Sequence, residues 1–147
     1  MNNELMLKKL NETFQLFTEF NEKGFKENYS DLNINEVHTI DYIGRAEHAN
    51  VTKITDHLKI TKGGVTKITK KLIVKEYINS YQTEENKKEK YFNLTEKGKE
   101  IFIKHKTLHI EAMNRDKRIF ENFDEDQKKV IDKFLDILKE DFEDKLK

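Results

Sequence analysis

His105 and His109 stand four residues apart in a stretch with helical periodicity, so both imidazoles project from one helix face. That spacing suits a shared metal ion, and it equally suits two rings packed beneath a neighbouring element. The remaining signals for site chemistry are bland. The sequence holds no cysteine, which excludes disulfides, zinc–thiolate sites, cysteine nucleophiles and thiol redox sensing together. His48 and His57 have no companion at ligand spacing, and the acidic pair Glu84-Glu85 has no partner base. Gly63-Gly64 lacks the flanking residues of a phosphate-binding loop, so it reads instead as a close backbone approach at a helix start. The amides and dipole of such a start could also meet a phosphate. With no Ser/His/Asp arrangement in view, the chain is not read as an enzyme.

A basic surface is the stronger signal. The 28 basic and 28 acidic residues of this 147-residue chain cancel, but they are unevenly placed. Residues 51–99 carry 12 basic and 6 acidic groups (net +6), against net −4 for 1–50 and net −2 for 100–147. Within that island, Val65, Ile68 and Leu72 give a helix its core face, leaving Lys62, Thr66, Lys67, Thr69, Lys70 and Lys71 on or beside the opposite face. Such an island is the footprint of a phosphate-binding surface, with a lysine-rich solvated face as the plainer alternative.

The elements that must position these groups follow from hydrophobic period and caps. No proline interrupts the chain, so helices run as far as the apolar pattern allows. Met6, Leu10, Phe14, Phe17 and Phe20 form one stripe, predicting an N-terminal helix of about six turns. Val130, Ile131, Phe134, Ile137, Leu138 and Phe142 form another behind the capping run Phe123-Asp124-Glu125-Asp126. Between them come two short helices marked by Val37, Ile40, Ile43 and by Val51, Ile54, Leu58, the second capped by Asn50 or Thr52, and then the basic helix starting at Thr61. Tyr77 to Gln82 and Lys90 to Leu94 read as strands of a hairpin with a charged tip. Thr95 caps a last long helix with apolar positions Ile101, Phe102, Leu108 and Met113. Charged residues make up 38% of the chain against roughly 25% in a typical domain, and apolar ones only 35%, so long amphipathic terminal helices suit packing between subunits. No apolar run approaches the roughly 18 residues of a membrane span, and the N-terminal residues lack a signal-peptide core. The expected setting is cytoplasmic, with no membrane partner.

Helix, turn, basic helix and charged hairpin is the order of a winged helix-turn-helix. The run from Val51-Thr52-Lys53-Ile54 through Leu58-Lys59-Ile60-Thr61-Lys62-Gly63-Gly64-Val65 to Leu72, then Tyr77-Ile78, the hairpin and Leu94-Thr95-Glu96-Lys97-Gly98, closely resembles the MarR family of transcription regulators. The resemblance covers nearly the whole chain. It implies a mainly α fold with a small β wing, in which 31–98 is the DNA-binding domain while helices in 1–30 and 99–147 form the dimerisation region. It further implies a homodimer, probing a pseudopalindromic operator in double-stranded DNA, as a repressor whose affinity a metal or small molecule modulates. Leu10, Phe14, Val130, Phe134, Ile137 and Leu138 would carry dimerisation. Thr61 to Lys75 would be the recognition helix, with Thr61, Lys62, Gly63, Thr66, Lys67, Thr69, Lys70 and Lys71 at the DNA and Lys87, Lys88 and Lys90 anchoring the wing. At least one of Thr66 and Thr69 is expected to reach a base, through a thymine methyl.

The wing departs from the family's Asp-x-Arg pattern, carrying Asn86 and Lys88 at those places. Lysine neutralises a phosphate but lacks the planar fork of arginine, which puts base reading by the wing in doubt. By the same resemblance to zinc-responsive members, His38, His105 and His109 fall at histidine positions of a metal site that Glu19 or Glu22 would complete. Zinc would then be a regulatory ligand, no cofactor being required, and an organic effector would instead occupy a cleft among Phe17, Phe20 and Phe102. The alternative function is a winged helix used for protein interaction without DNA affinity.

Overall fold

The computed structural model describes all residues, Met1–Lys147, in two compact units, 1–105 and 106–147. The first unit holds α1 (Asn3–Asn28), α2 (Ile34–Arg45), α3 (Val51–Leu58), α4 (Lys62–Val74), strands β1 (Ile78–Tyr81) and β2 (Tyr91–Leu94), and the start of α5 (Glu96–Asp116). In a chain without proline, side-chain caps set the helix starts. Asn2, Asn33, Asn50, Thr61 and Asp124 each accept a hydrogen bond from a first-turn amide. Asn33 and Glu36 form a reciprocal capping box, as do Asp124 and Gln127. The short α3 ends on Lys59 in the left-handed conformation (φ 56°), which turns the chain into α4.

The core of this unit is the winged part. Val37, Ile40 and Ile43 of α2 are buried with Ile54 of α3, Val65 and Leu72 of α4, Ile78 of β1 and Phe92 of β2. The strands pair antiparallel, from Ile78 opposite Leu94 to Tyr81 opposite Tyr91. Phe92 N–H also donates to Ala49 O at 2.8 Å, a bridge that ties the segment before α3 to the hairpin. Gly98 shows why α5 starts where it does. A Cβ there would stand 2.1 Å from Tyr77 O, so only glycine lets the first turn of α5 lie against the turn that joins α4 to β1.

Three expectations change. The N-terminal helix has 26 residues, just over seven turns, because the polar residues after Phe20 continue it to Asn28 without a breaker. The strands are shorter than the β-branched and aromatic runs suggested, since only four residue pairs find partners. In α5 the expected apolar face is only partly covered: Ile101, Phe102 and Leu108 are half-buried, Met113 is 71% exposed, and Gly98 is the helix's single buried residue. The second unit comprises the rest of α5, a 3-10 turn (Lys117–Asn122) and α6 (Glu125–Lys145). Neither α1 nor α6 buries a residue. Leu5, Phe14, Phe17 and Phe20 on the one and Val130, Phe134, Ile137 and Phe142 on the other are exposed.

Candidate nucleic-acid interface

Helix α4 starts with unused donors. Thr61 Oγ1 accepts from Gly64 N–H at 3.0 Å and Thr61 O from Val65 N–H at 3.0 Å, which leaves the amides of Lys62 and Gly63 without an acceptor inside the chain. A Cβ at Gly63 would meet nothing within 4 Å. The close approach expected at Gly63-Gly64 is therefore not made to this chain at Gly63, which faces open space; Gly64 instead sits against the capping threonine. Lys62, Lys67, Lys70 and Lys71 are exposed and enter none of the ion pairs of the structure. Uncompensated charge beside free amides makes this an anion-seeking surface.

Thr69 does not belong to it. The residue is only 3% exposed, and its hydroxyl donates to Thr66 O at 3.0 Å. The inward arc of α4 runs through Val65, Ile68, Thr69 and Leu72, the i, i+3, i+4, i+7 pattern, so Thr69 takes a core position despite its polarity. Its expected reach to a thymine methyl is withdrawn. Thr66 stays half-buried at the rim, its hydroxyl donating to Lys62 O.

The wing tip is organised by Asn86. Its side-chain oxygen accepts from the amides of Lys88 and Glu89, both at 3.2 Å, while its own N–H donates to Thr83 Oγ1 at 3.1 Å. Asn86 thus shapes the turn. Lys88 and Lys90 are exposed and outside every ion pair, whereas Lys87 lies 3.6 Å from Glu84, an exposed contact of little energetic weight. At the wing's base, His48 (φ 51°) shares a hydrogen bond of 2.9 Å with Tyr81 Oη and packs 5.0 Å from the Tyr91 ring.

Two of the three expected histidines lie together. The rings of His38 and His105 meet edge to face at 5.8 Å, and His105 Nδ1 lies 3.3 Å from Asp41 Oδ1. Asp41 in turn accepts from Arg45 Nε at 2.9 Å. Nearby Tyr29 is buried with no hydrogen-bond partner for its hydroxyl, which burial and then the Asp41 charge push above its ordinary value of 10. No group of three His, Asp or Glu side chains is arranged to hold a metal ion. His109 falls in the second unit, and the carboxylate beside the imidazole is Asp41 rather than Glu19 or Glu22, which flank lysines on the open surface of α1. Sequence reasoning missed Asp41, Arg45 and Tyr29, although Asp41 and Arg45 at i, i+4 were a legible pair.

The aromatic cleft also changes. Phe102 borders a cavity of about 670 Å³ with Ile43, Phe92, Leu94, Tyr81 and Lys99, and Phe17 and Phe20 are not in its lining. Those two rings stand exposed on α1, at 63% and 55%.

Comparison with known proteins gives this geometry its family. The MarR family model matches residues 32–90. Transcriptional regulator ZitR of Lactococcus lactis is 31% identical over 97 residues, covering 66% of this chain and 67% of that protein. The chain belongs to the MarR family. HTH-type transcriptional regulator PchR of Bacillus subtilis is 42% identical over 106 residues, which covers 72% of this MarR chain and 63% of PchR's own length. Among solved structures, Streptococcus pneumoniae FabT in complex with DNA matches with a TM-score of 0.75 at 29% identity, over 99% of this chain and 100% of that one. A structure of ZitR, described as a zinc-responsive MarR family member, matches with a TM-score of 0.70 at 26% identity, over 90% and 99%. PchR and ZitR are named as transcriptional regulators. No helix is long and apolar enough to cross a membrane.

Proposed function

We propose that this MarR chain is a sequence-specific DNA-binding repressor that acts as a homodimer on a pseudopalindromic operator. The observation that carries the reading is the start of α4, where the free amides of Lys62 and Gly63 adjoin the unpaired Lys67, Lys70 and Lys71. Phosphates would be neutralised there and along the wing by Lys88 and Lys90, with Lys87 released from Glu84 to join them. Thr61, Lys62, Gly63 and Thr66 would face the groove. The exposed stripes of α1 and α6, with Leu10, Phe14, Val130, Phe134, Ile137 and Leu138, would be covered by a second copy, making 1–30 and 99–147 the dimerisation arms around 31–98. Two α4 helices would then sit about 34 Å apart, one duplex turn.

Titration of binding to a DNA duplex against salt tests this. Each phosphate-contacting lysine replaced by alanine should lower the slope of log affinity against log salt by about 0.9. Unchanged slopes for Lys67, Lys70, Lys71, Lys88 and Lys90, or no DNA affinity at all, would favour the protein-interaction alternative.

A zinc-regulated version is favoured by one observation, the meeting of His38, His105 and Asp41 beside an unpartnered Tyr29 hydroxyl. When bound there, zinc would cross-link α2 to the middle of α5 through borderline imidazole donors. The two imidazoles would supply nitrogen, with Asp41, 3.3 Å from His105 Nδ1, as the orienting partner of that ring. Calorimetry with zinc on wild type and on His105→Ala decides the matter. No saturable binding, or binding unaltered by the substitution, would leave the cavity beside Phe102 as the place for an organic effector.

A further inference from the structure

The last lysine of the basic helix does not point the way its neighbours do. Lys75, the C-cap of α4, sends its ammonium group back into the protein, where it donates to Asp31 O at 2.6 Å and to Glu36 Oε2 at 3.2 Å. Glu36 is only 3% exposed, and its other oxygen accepts from Asn33 N–H in the capping box that starts α2. One carboxylate therefore joins two helix ends. The linkage continues outward: Lys97 Nζ, from the first turn of α5, donates to Lys75 O at 2.8 Å and lies 4.2 Å over the Tyr77 ring, while Thr95 Oγ1 donates to Glu76 O at 2.7 Å. Tyr77 Oη reaches Asp31 Oδ2 at 3.4 Å.

We propose that Lys75 is a positioning residue for DNA recognition, clamping the end of the recognition helix to the start of α2 through Glu36 rather than touching DNA. The inference rests on the DNA-binding reading of α4. Its physical logic is a matter of orientation. Contacts to phosphates tolerate small rotations of a helix, because long lysine side chains follow the backbone. Contacts to base edges do not, since their geometry is fixed by the groove. The inward arc of Val65, Ile68, Thr69 and Leu72 seats α4 in the core and Thr61 caps its start, while the half-buried Lys75–Glu36 pair adds the tie that fixes its C-terminal end against the start of α2. Buried pairs of this kind contribute little net stability, because desolvation offsets attraction, and are better suited to fixing one arrangement among several. Lys75 has the composition of a DNA contact and the placement of a structural tie.

Two variants test it. Lys75→Met removes the ammonium group. Glu36→Gln keeps an oxygen for Asn33 N–H, turns an amide donor toward Lys75, and changes a residue that forms no ion pair with any DNA-facing lysine. Affinities are measured by fluorescence anisotropy, across a range of salt, for a duplex selected from random sequence by the wild-type protein and for a scrambled duplex of equal length. The clamp predicts that both variants lose about tenfold in the ratio of selected to scrambled affinity, while the salt slope and the scrambled affinity hold. A slope smaller by about 0.9 in Lys75→Met would put Lys75 on a phosphate and overturn the proposal. A folded Glu36→Gln that discriminates as wild type does would overturn it as well, and this arm decides the question alone should Lys75→Met fail to fold. Failure of the wild type to enrich any duplex would bring down the DNA reading itself, and the clamp with it, before any variant is compared.

Discussion

Replacing Gly63 with alanine should move stability and DNA affinity in opposite directions. Gly63 is the second residue of α4, its φ is not positive, and a Cβ there meets nothing within 4 Å, so the added methyl strains no part of the chain. Alanine also restricts the unfolded chain and favours the helix, together worth about 0.4–1 kcal/mol of added stability. In a chain of this size 1 kcal/mol raises Tm by about 2–4 °C. Glycine is thus the less stable choice, with no reason for it inside the molecule. The reason lies outside if a phosphate oxygen approaches the Gly63 amide. A methyl group in that space would cost a charge-assisted hydrogen bond, about 1.5–3 kcal/mol, or tenfold and more in affinity. The salt slope would stay put, because no cation is removed. Thermal unfolding followed by circular dichroism and anisotropy on a selected duplex give the two readouts. A stabilised variant with undiminished affinity would refute the close approach; a destabilised one would refute the local geometry of α4.

Asp at both Phe134 and Ile137 should give monomers with greatly weakened operator binding in analytical ultracentrifugation and anisotropy, because the two side chains are exposed on α6 and need a partner to cover them. Gly98→Ala should destabilise markedly in urea unfolding, since its Cβ would stand 2.1 Å from Tyr77 O; a midpoint within error of wild type would show that α5 shifts freely. Burial, then Asp41, raises the Tyr29 hydroxyl above 10, and burial, then Asp31, does the same for Tyr77. A folded-state value above the unfolded one favours the protonated fold, so this contribution is complete below pH 10 and is lost as pH rises through the folded values. Urea midpoints should fall in that alkaline range, less so for Tyr29→Phe; an equal fall in the variant would dismiss Tyr29 as a source.

The sequence by itself determined the order of elements and most of their ends. Local causes act over a few residues: Thr61, Asn50 and Asp124 cap the amides directly behind them, the stripe periods of α1 and α6 need no partner to be read, and the change of period after Glu76 marks the hairpin. The charge island at 51–99 was equally legible, as were the lysines that α4 and the wing expose. Tertiary packing decided what each polar residue does. Thr69 and Lys75 are of the same residue types as the DNA-facing set, yet Thr69 fills the core arc of α4 and Lys75 turns back to Asp31 and Glu36, 44 and 39 residues away in the chain. The same holds at the histidines. His38 and His105 meet beside Asp41 through contacts between α2 and α5 that no periodicity encodes, and the Tyr29 hydroxyl at the end of α1 is buried where it feels the Asp41 charge. A cap or a stripe is a property of adjacent residues; an ion pair between helix ends is a property of how helices cross, and only the folded chain fixes that.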